Sequence, residues 1–252
     1  MSKLLKVVFS LLLVATLAAG CSQGNETPEN NAPENGEVAQ SENGSEPQVC
    51  GDVSLEDVNK FLNESADMNP EGTGNYVAVV PIDHVNGPRE EKDFYAFVNF
   101  KYAARDYIKY EITYLSCTCR AANVNFWMTA YVELSLPESG KIEDSTVQFL
   151  SFDYDSTGKY LAGYWGDSNP TPAGATYEMF KEEYIPYFVG KDYSYIKTLS
   201  FVEDIDPADY TAGEGREGLT LDTFVGSSVS TNNIIRMLNA LFEYHATDEY
   251  FR

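Results

Sequence analysis

The chain has 252 residues, with 39 Asp and Glu against 17 Lys and Arg, for a formal net charge of −22. A balance this acidic excludes nucleic-acid binding through phosphate neutralisation and argues against electrostatic docking on anionic lipid. His84 and His245 are the only histidines, which excludes a multi-histidine metal site, and no Gly-x-Ser-x-Gly elbow is present; no metal is expected.

Lys3 and Lys6 precede an apolar run from Val7 to Ala19. The run is too short for a permanent bilayer span and reads as the core of a signal peptide over residues 1–20. It ends in Leu17-Ala18-Ala19-Gly20-Cys21, which resembles a bacterial lipobox. The resemblance implies cleavage before Cys21 and a lipid on its thiol, holding the chain on the extracytoplasmic face of the cell membrane. Residues 22–49 then contain six glutamates and no Lys or Arg, with only Ala32, Val38, Ala39 and Val49 as apolar side chains. Such a segment cannot bury a core, so 21–49 reads as a lipid anchor followed by a disordered acidic tether. Its typical reach is about 30 Å, stretched further by like-charge repulsion.

From Cys50 the composition becomes that of a folded protein, rich in aromatic residues, with 18 Tyr and 14 Phe in the whole chain. Ser54 and Asp57 have the spacing of a capped helix start, and Val58, Phe61 and Leu62 share a face, which predicts a helix over 54–64. Tyr76 to Ile82 is a β-branched run. Ile108, Tyr110, Ile112 and Tyr114 alternate, as do Phe126, Met128, Ala130, Val132 and Leu134. Thr146–Tyr154 and Lys159–Trp165 flank Asp155-Ser156-Thr157-Gly158, a hairpin signal. The stretch 76–165 is therefore expected to be an antiparallel meander. The period then changes. Tyr177, Phe180, Tyr184, Tyr187 and Phe188 mark a helix ending at Gly190, and a polar, acidic loop runs to about 220. Ile234, Ile235, Leu238, Leu241 and Phe242 fall on one face of a C-terminal amphipathic helix. The expected class is α+β, with an N-terminal α+β extension over 50–129 and a second domain over 130–252.

The stretch Leu221-Asp222-Thr223-Phe224-Val225-Gly226-Ser227-Ser228-Val229-Ser230-Thr231 runs into that last helix. It resembles the motif of the FMN-binding domain family, which includes the flavin subunits of the sodium-pumping NADH:quinone reductase and of the Rnf complex. Asp222, Gly226, Ser227, Ser228, Ser230 and Thr231 fall on the family pattern. Upstream, Ile185-Pro186-Tyr187-Phe188-Val189-Gly190-Lys191 resembles the family's segment before its central loop. Gly140-Lys141-Ile142-Glu143 resembles an early Gly-Lys-Ile strand opening. The chain departs from the pattern at Val225, where a hydroxyl residue usually precedes the glycine, and in offering Ser228 rather than Thr as the acceptor.

The resemblance implies FMN joined through its phosphate to Ser228 by a separate flavin transferase that uses FAD and Mg²⁺. It implies a membrane reductase or quinol as electron donor, and an electron-transfer carrier rather than a self-standing enzyme. An ester phosphate on Ser228, placed just before a helix starting near Ser230 to Asn232, would meet unpaired N–H groups and the positive end of the helix dipole. The same residues also read as an ordinary helix cap, and Val225 with the Ser acceptor leaves open a flavin-free domain that binds a ligand or partner. Pro172-Ala173-Gly174-Ala175-Thr176 contains Gly-Ala-Thr without the preceding Asp, and is expected to be a helix start capped by Thr176.

Cys117-Thr118-Cys119 and Cys50 form the other candidate. Residues i and i+2 of a strand sit about 6.5–7 Å apart, at the limit for a direct bridge. Outside the cell, Cys50 bonded to one of the pair is expected to pin the Ser54 helix to the sheet. Arg120 beside the pair favours a thiolate, which leaves thiol–disulfide exchange open. His84 reads as a surface residue. Asp153, Asp155, Thr157 and Gly158 begin like a calcium loop but meet Tyr164 at its twelfth position, so a hairpin turn explains them better. Tyr160, Tyr164 and Trp165 read as core, with flavin stacking as the alternative.

Overall fold

The computed structural model describes residues 48–49, 54, 56–58, 60, 76–82, 95–115, 127–152, 170–210, 220–225 and 228–252, all inside one compact unit spanning 35–252. The class is α+β. Strands β1 (Gln48–Val49), β2 (Ala78–Pro81), β3 (Tyr95–Ala103), β4 (Tyr107–Leu115), β5 (Trp127–Ser135) and β6 (Val147–Phe152) lie side by side in chain order. From β2 to β6 every neighbour is antiparallel, while β1 pairs parallel to β2 through Val49 and Val79. The last two residues of the expected tether are thus strand.

Alternation explains the central strands. Ile108, Tyr110, Ile112 and Tyr114 are fully buried, and they pair in register with Leu134, Val132, Ala130 and Met128. The next strand continues the same face, Val132 opposite Leu150 and Ala130 opposite Phe152. This single apolar face is the floor of the core. The sheet runs unbroken through residue 130.

Strand β3 has no counterpart among the expected elements. Tyr95 to Val98 is buried on both faces, and the register then slips between Val98 and Phe100. Asn99 is the extra residue of this β-bulge, which exchanges the two faces. Beyond it Lys101 and Ala103 take the core side, opposite Tyr110 and Ile108, while Phe100 and Tyr102 turn outward at 48 % and 57 % exposure.

The Ser54 helix start is present. Ser54 Oγ accepts from Asp57 N at 3.1 Å and donates to Asp57 Oδ2 at 2.6 Å, and Val58 is fully buried. Helix α1 spans 177–187 in three parts, an α segment Tyr177–Met179, a π segment Phe180–Tyr184 and an α segment Ile185–Tyr187. Thr176 caps it as expected, its Oγ1 accepting from Met179 N at 3.3 Å. Pro186 lacks the N–H that an α ladder needs, and the wider π turn lies just ahead of it. Tyr177, Phe180, Tyr184 and Phe188 are buried, and Gly190 closes the segment at φ +88°.

The loop expected from 190 to 220 contains regular structure, α2 (Tyr193–Ile196) and a 3₁₀ turn Val202–Asp204. Side-chain caps hold both. Asp192 Oδ1 accepts from Tyr195 N at 2.9 Å, and Asp204 Oδ2 accepts from Ser200 N and Phe201 N. Next come α3 (Asp222–Val225) and α4 (Ser228–His245).

All five apolar residues predicted for the last helix are fully buried, but its burial is not confined to one face. Between 231 and 245 only Arg236, Asn239 and Glu243 reach solvent. The helix is enclosed because the sheet lies on one side and other helical segments on the other. Tyr110 packs edge-on against Tyr244 and His245, while Tyr193 stacks on Phe242. The core therefore encloses Thr231, Asn232, Asn233 and His245, each of which needs a partner. His245 Nε2 lies 3.1 Å from Ser135 O and its Nδ1 lies 2.8 Å from Tyr110 Oη. A carbonyl only accepts, so Nε2 carries the proton and Nδ1 accepts from the tyrosine.

Candidate functional site

The predicted motif is split between two helices. Asp222 opens α3 and is exposed, Phe224 is fully buried, and Val225 is half-buried against the core. Gly226 and Ser227 lie outside the described residues. Ser228 is the first residue of α4, with Ser230 in the same turn. The helix thus begins two residues earlier than expected, and Ser228 stands inside its first turn. The first four N–H groups of any helix lack intrahelical partners, and Ser228 is placed among them. Thr231 is fully buried, its Oγ1 3.4 Å from Asn232 Oδ1.

Both sides of this break are anchored to α1. Phe224 sits 5.3 Å from the rings of Phe180 and Tyr184 and 6.1 Å from Tyr210. Tyr184 also donates its hydroxyl to Thr231 O at 3.1 Å. One side chain therefore touches α3 through its ring and α4 through its oxygen, which fixes the ends of 225–231 relative to each other. Asn232 adds a third tie, its Oδ1 accepting from Val202 N at 2.9 Å.

Hydroxyls around the motif are held in the donor state. Burial raises Tyr184 well above the ordinary tyrosine value, assisted by the negative potential of Tyr187, Glu203, Tyr114 and Tyr195 when ionised. Burial, with Glu183 second, pushes Tyr210 up to about 12. Three buried polar atoms in this part of the core have no hydrogen-bond partner among the described residues: Tyr114 Oη, Tyr210 Oη and Asn233 Nδ2. Each is able to donate. Beside them, Tyr187 and Tyr195 share a hydrogen bond of 2.5 Å, with Lys191 Nζ 4.7 Å and 4.9 Å from their ring centroids.

The other expected site residues are not brought into view. Cys21, Cys50, Cys117 and Cys119 lie outside the described residues, as do His84, Asp153, Asp155, Thr157, Gly158, Tyr160, Tyr164 and Trp165. Among the described residues no three His, Cys, Asp or Glu side chains form a group that holds a metal. Lys141 and Ile142, expected to open a strand, instead lead through the 3₁₀ turn Ile142–Asp144 after Gly140 at φ +66°. The sequence did not reveal that Tyr184, Tyr210 and Asn233 lie beside the predicted motif. The spacing of Phe180, Tyr184 and Phe188 marks a buried helix face but does not show which hydroxyl reaches α4.

No protein-family model, curated protein or solved structure matches the chain.

Proposed function

We propose that the chain is a lipid-anchored extracytoplasmic flavoprotein that carries FMN on Ser228 and passes electrons between a membrane donor and a partner. The observation that carries this reading is the spacing Asp222, Gly226, Ser227, Ser228 leading directly into an 18-residue helix with Ser228 as its first residue. A phosphodiester there keeps one negative charge, which the N-terminal N–H groups and the helix dipole favour. In a chain of net charge −22, a freely bound phosphate ester would meet repulsion and be lost outside the cell, and a covalent bond removes that loss.

The residues present fit such a group. Tyr114, Tyr210 and Asn233 supply buried donors that have no partner among the described residues, suited to ring carbonyls and ribityl oxygens. Tyr184 and Phe224 hold the acceptor segment in place. When bound, the flavin supplies one- and two-electron transfer, and the protein sets its position and surroundings. Attachment uses FAD: the Ser228 hydroxyl displaces AMP, losing its proton as the new phosphoester forms. The flavin transferase that catalyses this has to act on the outer face. The lipobox ending in Cys21 and the acidic tether would let one anchored domain reach both donor and acceptor.

A second reading is favoured by Val225. Its half-buried side chain packs on the core where a hydroxyl residue stands in the family pattern, and a transferase that requires that hydroxyl would leave the domain flavin-free, serving in ligand or partner binding. Intact mass separates the two. Co-expressed with a flavin transferase, the chain is expected to gain one FMN less water and turn yellow, and Ser228→Ala to remain unmodified. Colourless protein of unchanged mass in both would reject covalent flavin. Cys21→Ser is expected to move the protein from the membrane fraction into the soluble extracytoplasmic fraction, and continued membrane association would refute the lipid anchor.

A further inference from the structure

Strand register fixes which side chains share the face of the sheet turned away from α4. Tyr110 points into the core, where its ring meets Tyr244 and His245 of α4. Its neighbour Lys109 therefore points the other way, and so do the residues directly opposite it. One cross-strand row on this outer face reads Tyr102, Lys109, Glu133, Phe149, and Phe100 opens the next row opposite Glu111. The bulge at Asn99 is what turns Phe100 and Tyr102 onto this face. Phe149 joins them at 44 % exposure. None of these three rings has an aromatic or cationic partner among the described residues. Between Tyr102 and Phe149, Lys109 Nζ and Glu133 Oε1 form an ion pair at 3.2 Å.

Side chains on a strand stand roughly perpendicular to the sheet, so two rings rise at the ends of the row and the ion pair forms its floor. Three strand spacings put the Tyr102 and Phe149 attachment points about 14 Å apart, the length of about three linked pyranose rings, and Phe100 stands about 7 Å from Tyr102 along β3. Lys109 and Glu133 neutralise each other, so the floor offers no free cation to an acidic ligand, and a net charge of −22 opposes one further. The area framed by the three rings is about 100 Å², well short of the roughly 800 Å² per partner that a stable protein interface takes. A second copy would also bring like charge against like charge. What fits is a small neutral molecule, apolar on the faces that meet the rings and rich in hydroxyls between them. We propose that this row binds a neutral linear oligosaccharide lying across the strands from Tyr102 to Phe149. Its ring C–H faces stack on the two aromatic side chains, its hydroxyls lie over the intact Lys109–Glu133 pair, and Phe100 flanks it. The site is on the opposite face of the sheet from α4 and does not rest on the flavin reading.

Cellotetraose, mannotetraose, xylotetraose and N-acetylchitotetraose, each titrated into the purified full-length protein and followed by calorimetry, test this. At least one is expected to bind saturably. Its affinity should fall about tenfold in Tyr102→Ala and in Phe149→Ala, and change little in Tyr102→Phe, which keeps the ring. Both side chains are exposed, so the urea midpoints of these variants should stay near that of the wild type. Tetragalacturonic acid, with a carboxylate on every ring, is expected to bind more weakly than the neutral sugars. Absence of saturable binding to all four neutral sugars, or equal affinity in the wild type and both Ala variants, would overturn the assignment, as would tighter binding of the acidic sugar. Two other outcomes would overturn it if no sugar binds and the same rings are required. Partition of the Cys21→Ser chain onto phosphatidylcholine vesicles would mark a membrane surface, and concentration-dependent dimerisation would mark a contact between copies.

Discussion

Replacing Tyr184 with Ala is expected to lower the free energy of unfolding by about 3–5 kcal/mol. The side chain is fully buried, with ring centroids of Phe180, Phe188 and Phe224 at 5.9, 5.2 and 5.3 Å. These neighbours also restrain one another, as Phe180 and Phe224 do at 5.3 Å, so the space left behind cannot collapse cheaply. A domain with a total stability of about 5–15 kcal/mol would lose a large part of it. Tyr184→Phe keeps the ring and deletes only the hydroxyl bonded to Thr231 O. A helical carbonyl already accepts from the residue four positions on, so this change is expected to cost only about 1 kcal/mol. Urea unfolding of the wild type and both variants measures the two terms. Equal losses in Ala and Phe would show that the ring is not the anchor of this region. Under the flavin reading, the same comparison extends to function: the Phe variant should still be flavinylated, while the Ala variant, which frees both sides of the 225–231 segment, should be modified poorly.

The contrast between strands shows what was legible in the sequence. Strands β4 and β5 announce themselves through strict alternation because one face is buried and the other is not. Strand β3 hides because the bulge at Asn99 exchanges its faces midway, so no single period runs through Tyr95–Ala103. The short elements between 192 and 204 hide for another reason. Their stability comes from the caps of Asp192 and Asp204, and in a chain this acidic those aspartates look like loop composition.

The candidate site divides in the same way. The spacing from Asp222 to Thr231 is local and readable, whereas the contacts that hold it are not. Tyr184 and Thr231 are 47 residues apart, and Val202 and Asn232 are 30 apart. In α4, the apolar residues at 234, 235, 238, 241 and 242 revealed a helix, but its polar residues suggested a solvent face. Asn232 and His245 are instead buried with partners from distant segments. A polar side chain counts as surface in a sequence pattern until its partner is known.

His245 makes acidification the strongest test of that buried network. Burial lowers its pKa from 6.5 to about 4, while the hydrogen bond to Ser135 O and the charge of Asp248 oppose the shift and Lys101 assists it. The folded value lies below the unfolded one, so between these values the unfolded chain binds more protons than the native state, and stability rises with pH there. The contribution is fully present above about pH 6.5 and is lost as pH falls through 4. A shift of this size corresponds to about 3 kcal/mol. Asp248, held below its ordinary value by the Lys101 ammonium and the Tyr250 N–H against the cost of burial, titrates lower still and does not enter that window. Denaturant unfolding measured from pH 7 to 4.5 should therefore show a decline in the wild type, due to His245, that is absent from the curve of the His245→Gln variant. That variant is expected to be less stable at pH 7, having lost the acceptor for the buried Tyr110 hydroxyl, and the gap should narrow as pH falls because only the wild type has a proton to exclude. Parallel curves for the two proteins across the whole range would show that His245 gains its proton without unfolding the chain, and that the enclosure around α4 is looser than its contacts imply.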